Sequence, residues 1–132
     1  MSKLEKLYIH PLPVRLWHWL NAVGFVVTSL LSLAAMCALG FVVAALAPTG
    51  SSAYLIGAFV FVVLMFFAGL WLPRIWMPAF LLDISNYTPL GATVQSFTSA
   101  LGGAFPPGWA LLTLAAWAVA GTLAAVRVFR WD

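Results

Sequence analysis

Residues 16–73 read LWHWLNAVGFVVTSLLSLAAMCALGFVVAALAPTGSSAYLIGAFVFVVLMFFAGLWLP, 58 positions without one Asp, Glu, Lys or Arg. A bilayer core is about 30 Å thick and takes about 20 apolar residues of helix to cross. The stretch is therefore long enough for two crossings. A third apolar run follows from Trp109 to Val126. The backbone must satisfy its own hydrogen bonds inside lipid, so the crossings are expected as helices. With 64% hydrophobic and 7% charged residues, the chain has too little polar surface for three buried helices of a soluble domain. The expected fold class is an all-α integral membrane protein, multi-pass, with three transmembrane helices.

Outward from that stretch, the chain divides at its prolines and charges. Residues 1–21 are expected as an N-terminal tail and an interfacial turn, and residues 22–132 as the membrane domain. Pro11 and Pro13 argue for an extended entry, with helix possible from Val14. Trp17 and Trp19 suit the headgroup level. The spans are expected at about 22–46, 53–72 and 109–126, with an uncharged turn at Pro48–Ser52. Residues 79–101 carry Asp83, Asn86, Gln95, Ser96 and Thr98 and are broken by Pro89. They are too polar to span and too apolar for a solvated loop, which predicts an interfacial or re-entrant helical segment before the last span. Ser85 and Ser96 are expected at its surface. In the third span Ala116, Ala120 and Ala124, with Gly121 and Ala125 beside them, predict a close helix–helix contact.

The net charge is +3, and the basic residues stand at segment ends: Lys3, Lys6, Arg15, Arg74, Arg127 and Arg130. That is a membrane-flank pattern and gives no nucleic-acid surface. Three spans put the N-terminus and residues 73–108 on one side. The plain Lys/Arg count places that side in the cytoplasm. The single cysteine, Cys37, allows no disulfide within the chain. Glu5, Asp83 and Asp132 pair with no second acid or histidine, and no phosphate loop, metal spacing or activated nucleophile is present. The chain is not expected to be an enzyme, and no catalytic or metal-binding residue is assigned.

Two family resemblances follow from particular segments. From about Leu33 to Asp132 the chain resembles the C-terminal half of a type-2 ABC exporter permease. The features are Ala-Leu-Ala-Pro-Thr (45–49), Phe-Ala-Gly-Leu-Trp-Leu-Pro (67–73), Tyr-Thr-Pro-Leu-Gly-Ala (87–92) with an amphipathic run behind it, and Val-Phe-Arg-Trp-Asp (128–132). The resemblance implies the fourth to sixth spans of a six-span half-transporter, in a bacterial plasma membrane. It implies a separate ATPase subunit, a further permease half or a homodimer, and contact with membrane lipid. It puts residues 73–108 outside, opposite to the charge count. An outer gate is implied at Gly69, Pro73, Pro78, Tyr87, Pro89 and Gly91, with no cofactor in the chain.

Separately, Tyr8–Ala22 (YIHPLPVRLWHWLNA) is similar to the N-terminal motif of the membrane b-type cytochromes that serve hydrogenases and formate or thiosulfate oxidoreductases. That resemblance implies electron transfer to or from quinone, with His18 as an axial ligand of haem b. A bis-histidine haem needs a second histidine facing the first, and none follows His18; Met65 among Phe and Val reads as packing. A truncated or hybrid chain without independent function is the third alternative.

Overall fold

In the computed structural model, residues 11–129 are described, and they form five α-helices. These are α1 (Leu12–Leu46), α2 (Gly50–Ala68), α3 (Ala79–Tyr87), α4 (Pro89–Leu101) and α5 (Gly108–Val128), with a single 3-10 turn at Arg74–Trp76. Three of them, α1, α2 and α5, are long and apolar enough to cross a membrane. The expected fold class therefore holds.

The boundaries differ from the sequence expectation in three places, each for a local reason. The first helix starts at Leu12 and runs unbroken through residue 22. Pro13 is tolerated there because the first turn of a helix has no intrahelical use for its N–H. The second helix starts at Gly50, where Thr49 and Ser52 form a reciprocal capping box. It stops at Ala68, short of the expected residue 72. Gly69 adopts φ +91° and sends its N–H back to the last turn, a left-handed cap open to glycine at little cost. The last helix, at Gly108–Val128, closely follows the expected third span.

Contacts along α1 fix the directions of the other helices. Gly24 meets Pro106 and Ala38 meets Gly121, so α5 runs parallel to α1. Asn21 reaches the Gly103 carbonyl, Phe25 packs on Phe97 and Ser32 bonds Thr93, so α4 runs antiparallel to α1. The buried face of α1 is Gly24, Thr28, Ala35 and Ala38, all small. Small residues let helix backbones approach closely, which is how helices associate in lipid. A Cβ on Gly121 would sit 2.9 Å from the Ala38 Cβ.

The α5 side of this contact corrects the expected stripe. Ala110, Leu114 and Ala125 are buried and Ala118 packs against the core, whereas Ala116 and Ala120 are exposed. The contact follows steps of four, four, three and four along 110, 114, 118, 121 and 125. A strict four-residue step drifts around a helix of 3.6 residues per turn.

Candidate functional site

Helices α3 and α4 form a hairpin whose turn, Tyr87–Thr88–Pro89, packs against the spans with Pro89 buried and Tyr87 exposed. The Trp117 indole N–H donates to the Tyr87 carbonyl at 2.8 Å. Trp117 lies nine residues into α5, roughly 13 Å along the axis. The hairpin therefore re-enters the bundle from the end where α2 stops and α5 starts. Its second arm is the most enclosed element of the protein. Pro89, Gly91, Ala92, Thr93 and Ser96 of α4 are all buried, and the helix touches α1, α2, α3 and α5.

This overturns the surface placement of Ser85 and Ser96. Both are fully buried. The polar residues of 79–101 predict avoidance of hydrocarbon, and the fold satisfies that by turning them toward other helices. Thr93 donates to the Pro89 carbonyl at 2.8 Å and shares a 2.8 Å hydrogen bond with Ser32 of α1. Thr28 and Ser96 are buried hydroxyls without a hydrogen-bond partner among the described residues.

A polar knot anchors the hairpin to the end of α2. The Ser85 hydroxyl donates to the Phe67 carbonyl, one of the acceptors left over at a helix C-terminus, and accepts from Arg74 Nη1. Arg74 Nη2 donates to Asn86 Oδ1 at 2.6 Å and to Gln95 Oε1 at 3.4 Å. A cation there also complements the negative end of the α2 dipole. All three side-chain partners are neutral. Burial lowers the Arg74 pKa from its ordinary value, yet a guanidinium stays protonated at neutral pH.

The six positions that the permease resemblance assigns to an outer gate lie around this knot. Gly69 leaves room for Arg74, whose Cγ would lie 2.7 Å from an added Cβ. Pro73 precedes the 3-10 turn that carries Arg74, and Pro78 precedes α3. Tyr87 ends α3 with its ring exposed and tilted against Trp109 at 6.5 Å. Pro89 opens α4, where the Thr88 hydroxyl caps the Gly91 N–H at 3.1 Å. Gly91 lies so close to α3 that a Cβ would stand 2.0 Å from the Ser85 carbonyl oxygen. Sequence reasoning missed Arg74, Ser85, Asn86 and Gln95 as a unit. The available signal was that Arg74 and Asp83 are the only charges between Arg15 and Arg127.

Compared with known families, residues 7–101 match the one described as ABC-2 type transporter, which covers more than half of the chain. The chain belongs to the ABC-2 type transporter family. It is a membrane permease of an ABC-type system. No curated protein and no solved structure matches it. The family match begins well before Leu33, where the permease resemblance was drawn, and it ends at α4, leaving α5 outside.

The match also takes in residues 8–22 and lends no support to their cytochrome resemblance. In this ABC-2 permease His18 is exposed on the first turns of α1, edge-on to Trp19 at 6.2 Å between ring centroids. The other histidine, His10, lies outside the described residues. Met65 sits beside Leu64, which faces Met36 across the α1–α2 cleft. Met36 is roughly 27 Å along α1 from His18. The fold thus separates Met65 from His18 by most of a bilayer core.

Proposed function

We propose that this chain is part of the membrane domain of an ABC exporter and moves its substrate with energy from a separate ATPase subunit. The reading needs a further permease half or a second copy, because three spans cannot enclose a pathway. The observation that carries it is the α3–α4 hairpin lodged among the spans of an ABC-2 family chain. Gly69, Pro73, Pro78, Tyr87, Pro89 and Gly91 then hinge an outer gate around Arg74 and Ser85, on the outer face of a bacterial plasma membrane. No cofactor enters this reading, and substitution of His18 by alanine is expected to leave the absorption spectrum of the purified protein unchanged.

The test is co-purification. A tagged chain expressed at native level and extracted in mild detergent should bring with it a nucleotide-binding subunit whose ATP hydrolysis is vanadate-sensitive. Recovery of the chain in a stable assembly without such a subunit would reject the reading. Orientation is checked in a background where Cys37 is serine. Cysteine at the exposed positions Asp83 or Thr98 should react with an impermeant maleimide from outside intact cells. At the buried positions Ser85 and Ser96 it should be protected. Labelling of Asp83 and Thr98 only after lysis would place the hairpin in the cytoplasm, as the plain charge count has it.

A further inference from the structure

Arg74 has a role open beyond the knot. Its guanidinium carries five N–H donors in a fixed fork. One Nη1 hydrogen is directed to Ser85, and Nη2 serves Asn86 and Gln95. The Nε hydrogen and the second Nη1 hydrogen are not used in these bonds. The three partners are neutral, so the positive charge is solvated by dipoles and balanced by no carboxylate among them. The group borders an open cleft of ≈ 350 Å³ whose lining combines Arg74, Asn86 and Gln95 with Ile75, Leu82 and Trp109. The polar residues supply a charge and amide N–H groups. The apolar residues are open to their surroundings, with Ile75 86% and Trp109 40% exposed.

The position of the cleft selects the ligand. It lies just beyond the C-terminal end of α2 and at the first turn of α5, where two membrane-length helices have their ends. Trp109, and Tyr87 packed near it, are the side chains that favour the headgroup level. A ligand reaching this cleft from the bilayer brings a polar head to the level of Arg74 and acyl carbon to the level of Leu82 and Trp109. A phosphodiester anion matches a guanidinium fork in charge and geometry, and a zwitterionic head brings its own competing cation.

We propose that the cleft between Arg74 and Trp109 is a binding site for an anionic phospholipid, with the phosphate on Arg74, Asn86 and Gln95 and the glycerol and first acyl carbons on Ile75, Leu82 and Trp109. The occupied site ties the gate hairpin to the surrounding leaflet. This goes beyond the permease reading, and its test requires neither ATP nor a partner subunit, so failure of one leaves the other standing.

The test is native mass spectrometry of the full chain released from a neutral detergent, titrated in parallel with dioleoylphosphatidylglycerol, dioleoylphosphatidylcholine and glycerol 3-phosphate. The expected result is one tight adduct with the phosphatidylglycerol, at least about tenfold stronger than with the phosphatidylcholine. Glycerol 3-phosphate should give none in the same range. Two variants locate the site. R74Q removes the charge. I75D leaves the knot intact and places a carboxylate on the exposed rim, where it neutralises Arg74 and repels an incoming phosphate. Both should lose the preference, and I75D should do so with an unchanged melting profile. Equal binding of the two lipids, or a preference that survives I75D, would overturn the proposal. Binding of glycerol 3-phosphate as strong as that of the lipid would overturn the amphiphile assignment and make the cleft a site for a water-soluble phosphate.

Discussion

Helices α2 and α4 invert the rule of soluble proteins. Helix α2 is dense in Phe, Val and Leu, yet only Leu64 and Ala68 of its 19 residues are buried, and Tyr54, Leu55 and Phe59 are more than two-thirds exposed. Helix α4 has Thr93, Gln95, Ser96 and Thr98 among 13 residues, yet it contacts every other helix. The surrounding solvent explains the reversal. Lipid is as apolar as leucine, so exposing α2 costs nothing and its burial gains little. A hydroxyl or amide in hydrocarbon has no partner, so α4 is stable where neighbouring helices supply one. Packing of α4 therefore rests on close approach and hydrogen bonds, and α2 is held chiefly where the hairpin meets its C-terminal end.

The comparison can be broken most directly at glycine. Gly91→Ala in α4 forces a methyl against the Ser85 carbonyl, a backbone atom that cannot swing away. The expected loss is about 3 kcal/mol or more, read as a collapse of the melting temperature in detergent. Gly57→Ala in α2 meets only a Val43 methyl at 3.9 Å. It should change stability by less than about 0.5 kcal/mol. Equal effects at the two glycines would show that α4 is not the tighter element.

A second cut removes the knot. Arg74→Ala takes away three donated hydrogen bonds and leaves Ser85, Asn86 and Gln95 short of a partner. About 2 kcal/mol or more should be lost, since a single hydrogen bond from a charged group is worth about 1.5–3 kcal/mol. Arg74→Lys should recover only part of it, because an ammonium cannot reproduce the planar fork. Increased proteolysis between Pro73 and Gly102, with the three spans intact, would mark the hairpin as the part released.

Thr93→Val tests the α1–α4 seam more gently. It removes the 2.8 Å bond to Ser32 while keeping the shape, and interhelical hydrogen bonds in membranes average about 0.6 kcal/mol. The smallest effect is expected at Ser96, whose buried hydroxyl has no partner among the described residues. Ser96→Ala should be neutral or stabilising by less than about 1 kcal/mol, since no hydrogen bond is broken and a desolvated polar group is removed. A clear destabilisation there would reveal a water bridging Ser96 to another polar group, and α4 would then be held by hydration as well as by direct contact.

Much of the architecture was legible because hydropathy and length act locally. The run from Leu16 to Pro73 needs no knowledge of its neighbours to be read as two crossings, and Trp109–Val126 reads likewise as a third. Pro89, with polar residues on both sides, is enough to predict a broken, non-spanning segment. The boundary at Gly69 was less legible. The residues around it are as apolar as the helix before it, and the stop comes from a left-handed backbone conformation.

The candidate site was legible only in pieces. Gly69, Pro78, Tyr87 and Gly91 could be named as punctuation, and the resemblance gave them a place. That Arg74 reaches Ser85, Asn86 and Gln95 could not be read, because those residues lie 11 to 21 positions away along two further helices. Their meeting depends on how the hairpin folds back on the end of α2. The exposure of Ser85 and Ser96 was misread for the same reason. Polarity fixes that a side chain avoids lipid, and water and a neighbouring helix satisfy it equally well.

The sequence by itself determined that this chain lives in a membrane, crosses it three times and breaks before the last crossing, because each of those follows from the free energy of short segments in lipid. Only the tertiary structure decided that the broken segment is the centre of the packing and that one arginine holds it. Those outcomes depend on which small residues let helices approach and which polar groups find each other, and both are properties of pairs of segments.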